Sequence, residues 1–269
     1  MKQVIGTMVI AAALIGAASS VQAGPTQDVN GVIIPVGLVA GGDQIDSAVL
    51  FETPVTAAGQ TDKGVGFVTS INNAFGTQVW QNGQNGVELA YTFSYLASSV
   101  VAPSAFTNGT ATFSSGGVQF YTLPAGTQIN GLAGGIPADI AAVTAGTLFA
   151  STVAPKEDPA GDVLVSTLPA GTSLTSFAGG TGQGFLDVTG GPAAADFDTA
   201  TFANPFDTTS LHPGFSDMSF TSDFSIGAGG DFGISGSATV KANAVPEPLS
   251  LGVLGIGLLA LGSVRRRRH

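Results

Sequence analysis

Few residues in this chain have the type and spacing to do chemistry. His212, in Leu-His-Pro-Gly, is the one histidine ahead of the terminal His269. A Ser-His-Asp triad would have to be built on it, but no Gly-x-Ser-x-Gly elbow accompanies it, so it reads as a loop residue before a proline. Glu157 and Asp158 stand side by side, two carboxylates of the kind that glycoside hydrolysis uses as an acid/base pair. Pro155 and Pro159 bracket them, which predicts an exposed loop instead. Gly255-x-Gly257-x-x-Ala260 matches a dinucleotide fingerprint in letters only, because it lies inside an apolar run with no strand before it.

Two acidic stretches raise the question of calcium. Residues 179–187 resemble a calcium-binding nonapeptide, but Gly184 stands where the key carboxylate belongs, and there is one copy. Asp196, Asp198 and Asp207 surround a Phe/Thr/Asn-rich loop. A hard cation needs six or more oxygens, so ordinary loop carboxylates are the expectation. The chain has no cysteine, which removes disulfides and thiolate metal sites. These residues predict no catalytic site, no cofactor and no metal.

The elements that would position any site are strands. Val87, Leu89, Tyr91, Phe93 and Tyr95 alternate with smaller or polar residues, as do Met218, Phe220, Ser222, Phe224 and Ile226. Phe232, Ile234, Gly236, Ala238 and Val240 form a third such run. A period of two places one set in a core and the other toward water. Shorter strands are predicted at 47–53, 65–70, 117–123, 147–153, 161–167 and 183–188. Helical pattern is confined to a turn or two at 137–144 and 192–198. The 39 glycines and 14 prolines make about a fifth of the 269 residues, below the roughly 25–30% that marks low complexity. They are read as turns in a folded all-β body, a single sandwich or jelly-roll-like domain over 24–244.

One repeat is present. TLPAGTQINGLAGG at 122–135 and TLPAGTSLTSFAGG at 167–180 share nine of 14 positions. Both read as a strand end, a Pro-Ala-Gly turn and a next strand, two equivalent units in one fold. With no third copy, a solenoid is excluded.

Charge is divided sharply. Between residues 24 and 244, three lysines (Lys63, Lys156, Lys241) face 17 carboxylates, a net charge of −14. Such a body repels nucleic acid and anionic lipid. The rest of the basic charge sits at the two ends. Residues 1–23 carry Lys2, an apolar run and Val21-Gln22-Ala23, the pattern of a signal peptide cleaved between Ala23 and Gly24. Residues 245–269 hold Pro246, Glu247 and Pro248, an uncharged run at 249–264, then Arg265, Arg266, Arg267 and Arg268. The run would be roughly 24 Å long as a helix, a short single transmembrane helix, with the arginines on the cytoplasmic side. The prolines predict an extended joint ahead of it.

This order of parts resembles the PEP-CTERM sorting signal of Gram-negative bacteria. The resemblance rests on Pro246, Glu247 and Pro248, the Gly/Leu-rich run and the arginine cluster, about a tenth of the chain. It implies that, after signal peptidase has removed the N-terminal segment, the chain lodges transiently in the inner membrane and is processed near the motif by exosortase, a membrane-embedded cysteine protease. The destination implied is the cell surface or extracellular matrix. The body, at 182–188, 190–194 and 197–199, is also similar to uncharacterised surface proteins of that group, some of whose members occur in flocs and biofilm matrix. The expectation is a non-enzymatic structural or adhesive component of biofilm, floc or exopolysaccharide. Two rivals remain. A polysaccharide-binding module would present Trp80, Tyr91, Tyr95 and Tyr121 in an exposed line. A secreted hydrolase would show a pocket where carboxylates or His212 converge.

Overall fold

The structure, a computed structural model, describes residues 25–37, 42–127, 129, 134–208, 213–226 and 233–245. The predicted signal peptide and its cleavage site at Ala23 and Gly24, the tail from Pro246 to His269, and His212 lie outside the described residues. Among those described, no helix is long and apolar enough to cross a membrane.

The body is all-β, with a closed eight-strand antiparallel barrel at its centre. Its strands are β3 (Asp43–Glu52), β4 (Thr61–Val68), β7 (Val87–Val101), β8 (Gly109–Pro124), β10 (Leu164–Leu168), β11 (Gly180–Gly190), β14 (Met218–Ile226) and β15 (Ile234–Ala242). Each pairs with the next in this order, and β15 returns to β3, with Ile234 opposite Glu52 and Ala242 opposite Asp43. A ninth strand, β9 (Thr147–Val153), lies between β8 and β11 at one end, while β10 fills the same gap at the other. The sheet therefore closes on itself as a meander, rather than stacking as the sandwich or jelly roll expected from strand count. Alternation alone does not distinguish these outcomes, because a period of two makes an inner face in all three.

Both ends of the barrel are covered. The hairpin of β1 (Thr26–Val29) and β2 (Val32–Pro35), with β5 (Ser70–Asn72) and β6 (Gln78–Gln81), closes the lower end around Val32, Ile34, Ile71 and the fully buried Trp80. The upper end is plugged by Leu168, Phe177, Phe224 and Ile234. Helix α1 (Gly135–Thr144) lies on the outer wall, where Ile136 and Val143 meet Val65, Ala90 and Leu123. A further excursion with α2 (Ala194–Phe197), β12 (Phe202–Ala203) and β13 (Phe215–Ser216) packs by β11 near the lower end.

The described residues of all three alternating runs lie in barrel strands, and the shorter predicted strands overlap β3, β4, β8, β9, β10 and β11. The glycines are the larger correction. Many stand inside strands, several of them directly opposite an inward ring: Gly64 faces Phe93 and Gly66 faces Tyr91. Gly116 faces Tyr95, and Gly180 and Gly184 face Phe224 and Phe220. A methyl at Gly184 would sit 2.8 Å from the Phe220 ring. Glycine thus makes room inside a narrow barrel for aromatic packing.

The two repeat copies do form the same turn. Thr127 Oγ1 donates to the Pro124 carbonyl at 2.6 Å and Thr172 Oγ1 to the Pro169 carbonyl at 2.7 Å. Gly126 and Gly171 take φ of 89° and 79°, which only glycine adopts without strain. Beyond the turn the copies diverge: the first leads to α1 on the outer wall, the second to the upper plug and β11.

Candidate functional site

The barrel interior is the best-formed site. A cavity of about 60 Å³ lies inside it, walled by Tyr91, Phe93, Tyr95, Phe120, Phe220 and Phe224. Glu52 and Asp62 reach it from β3 and β4 and are 8% and 7% exposed. Glu52 pairs with Gly64, so Asp62 is its diagonal neighbour on the inner face. A smaller cavity of about 40 Å³, lined by Leu174 and Phe177 of the upper plug, shares both carboxylates.

The polar groups here are unequally satisfied. Tyr91 Oη donates to Ser47 Oγ at 2.8 Å, and Ser47 Oγ donates to the Val49 carbonyl at 2.9 Å. Tyr95, directly opposite Asp62 on the adjoining strand, is 2% exposed, and its hydroxyl has no hydrogen-bond partner among the described residues. Neither does Asp62 Oδ1. Burial pushes the Glu52 carboxyl up to about 8. Asp62 is driven well above the usual range, by burial first and then by the Glu52 charge. Both tyrosines are raised by desolvation as well. The three described lysines are exposed, so none of them balances the interior.

None of these carboxylates stood out in the sequence, because a strand irregularity hid one of them. The pairing of β3 with β15 shifts register between Ser47 and Leu50. Ile45 and Ser47 point inward before the shift, Leu50 and Glu52 after it, so strict alternation from Ile45 sends Glu52 to solvent. Asp62 carries no such break, but it stands ahead of the strand predicted at 65–70, whereas β4 begins at Thr61.

The residues singled out by type fall elsewhere. Glu157 lies in the connection between β9 and β10 and is half-buried, which corrects the expected exposed loop. Burial raises its carboxyl to about 7 against a hydrogen bond with the Gln183 side chain. Asp196 and Asp207 are buried, with Asp198 exposed. Asp187 is pushed up to about 7, chiefly by desolvation, then by the charges of Asp207 and Asp217. Asp217 is a backbone staple: its Oδ1 accepts from the Thr199 and Ala200 amides at 2.8 and 2.7 Å, its Oδ2 from the Val188 amide at 2.8 Å. Among the described residues no group of three acidic or histidine side chains could hold a metal ion. The nonapeptide-like stretch is barrel strand β11. Trp80, Tyr91 and Tyr95 are core residues and Tyr121 packs beside α1, so they form no solvent-facing line for polysaccharide.

The interior carboxylate pair does converge on a cavity, as a hydrolase would require. The space is far too small for a sugar ring, with room for about four water-sized groups. Burial raises both carboxyls, Glu52 to about 8 and Asp62 well above its ordinary value. A space of this size admits only something small. No protein-family model, no curated protein and no solved structure matches this chain.

Proposed function

We propose that the chain is an exported surface or extracellular-matrix protein, sorted by exosortase through its tail, with the barrel acting as a non-enzymatic structural or adhesive component of biofilm, floc or exopolysaccharide. The observation that carries the reading is the order of parts in 246–268: Pro246-Glu247-Pro248, an uncharged run, four arginines. The acidic body and the signal-peptide pattern at 1–23 are consistent with it.

The fold supports it at the joint. Ala244 is bridged to Gly37, and the Val245 amide donates to the Asp196 carbonyl at 2.9 Å. The folded body thus runs to the residue before Pro246, a compact unit that could be released whole by one cut. Replacing Pro246, Glu247 and Pro248 together by alanine leaves the apolar run and the arginines intact, so membrane insertion is unchanged. The protein should then stay in the inner membrane with its tail attached, and its surface or matrix fraction should vanish on fractionation of native cells. Equal surface display of wild type and the triple variant would overturn the sorting reading.

A further inference from the structure

Beyond its proposed sorting, the barrel has an unexplained interior. An eight-stranded barrel is just wide enough for side chains to fill it or for one small ligand. Rings opposite glycines fill most of this one, but a cavity remains where two carboxylates meet. A buried carboxyl avoids the cost of its charge either by keeping its proton or by pairing with a cation. Here the residues lining the cavity supply no cation.

We propose that this cavity binds a small aliphatic ammonium ion, held between the Glu52 and Asp62 carboxylates and surrounded by the faces of the inner rings. Two independent features point to a ligand rather than to carboxylates alone: the cavity, and the Tyr95 hydroxyl that borders it without a partner among the described residues. Tyr91, one ring pair away, has its partner in Ser47, so an unsatisfied tyrosine is not the rule in this core. An ammonium N–H group donates to Asp62 Oδ1 and to Glu52, and the Tyr95 hydroxyl donates to whichever carboxylate loses its proton. The aromatic walls favour a cation by their negative faces and accommodate its alkyl end.

The chemistry selects against other occupants. A divalent metal is better served by three or more carboxylate or imidazole ligands, and among the described residues no such group is present; the lining offers two carboxyls and otherwise only the hydroxyls of Ser47, Ser166, Ser222, Tyr91 and Tyr95. An anion would meet two carboxyls. Size limits the ligand to about four non-hydrogen atoms, from the water-sized groups that the space holds. The titratable groups facing the site are Glu52 on β3, Asp62 on β4, Tyr91 and Tyr95 on β7, with Glu157 acting on Tyr95 from the connection before β10. Glu52, raised to about 8 by burial, holds its proton at about pH 7, so a cation that pairs with its carboxylate expels that proton to solution. Phe177, edge-on to Phe224 at 5.8 Å, lines the smaller cavity on the upper side, which shares Glu52 and Asp62 with this one.

The test is calorimetric titration of the full-length protein with n-propylammonium at about pH 7, in two buffers of different ionisation heat, beside n-propanol, sodium and calcium. Saturable binding of propylammonium with release of about one proton, weakened ~tenfold or more in both Glu52→Gln and Asp62→Asn, is the expected result. Proton release is read on the wild type, so the proposal stays exposed even if a variant fails to fold. Absence of saturable binding, binding without proton release, equal binding of propanol, or preference for calcium would each overturn it.

Discussion

Glu52 is a carboxyl whose proton the barrel retains. Its value rises from 4.5 to about 8 on folding, so between these limits the folded chain binds more protons than the unfolded one. Stability therefore falls as pH rises through this window and levels off above it, opposite to a salt-bridged acid. Glu52→Gln removes the titrating group. Its thermal midpoint should exceed that of wild type at about pH 9 by clearly more than at about pH 5. A gain that does not change with pH would show that the group is not held protonated. Asp217 is the contrasting case, a carboxylate that satisfies three amides. Asp217→Ala should cost about 2–4 kcal/mol in denaturant unfolding, and Asp217→Asn less, since one acceptor oxygen survives. Neither role was legible in the sequence. A register shift masks Glu52, and Asp217 is defined by amides 17 to 29 positions away in the chain.

At the scale of elements, the pairing of rings with glycines sets the barrel's width. Gly64 on β4 lies under Phe93 of β7, with its other neighbour the Phe51 carbonyl. A methyl there pushes the ring into the cavity, so Gly64→Ala should lose about 1–3 kcal/mol. Phe93→Leu in the same chain should recover part of the loss; a strictly additive double mutant would mean that the ring is not what the methyl meets. The strands carrying these pairs were legible, because Tyr91, Phe93 and Tyr95 alternate cleanly with smaller residues. The glycines were read as turns, since a glycine's partner across a ladder is a long-range fact. The repeat shows the same limit: TLPAGT specifies its turn locally in both copies, while the residues after it are sorted by what they pack on.

At the scale of the whole molecule, the barrel is closed by its first and last wall strands, with Asp43 opposite Ala242. That is why an all-β class was readable and closure was not: the pairing that turns a curved sheet into a barrel joins residues nearly 200 apart, and Thr239 Oγ1 meets Asp46 Oδ1 across the same seam. Long-range closure of this kind is costly in loop entropy and depends on the final strand being available. Without β15, the edges of β3 and β14 expose unpaired amides and carbonyls, together with inward faces bearing Leu50, Phe220 and Phe224, which invites pairing with other chains. A body shortened to end at residue 233 should therefore form soluble aggregates or precipitate, while one ending at Val245 should elute as a discrete species with a strand-rich circular dichroism spectrum. Adding a separate peptide of residues 234–245 should restore discrete size to the shortened body if the seam is what protects it. A shortened body that is discrete and strand-rich by itself would place closure elsewhere and remove β15 from that role.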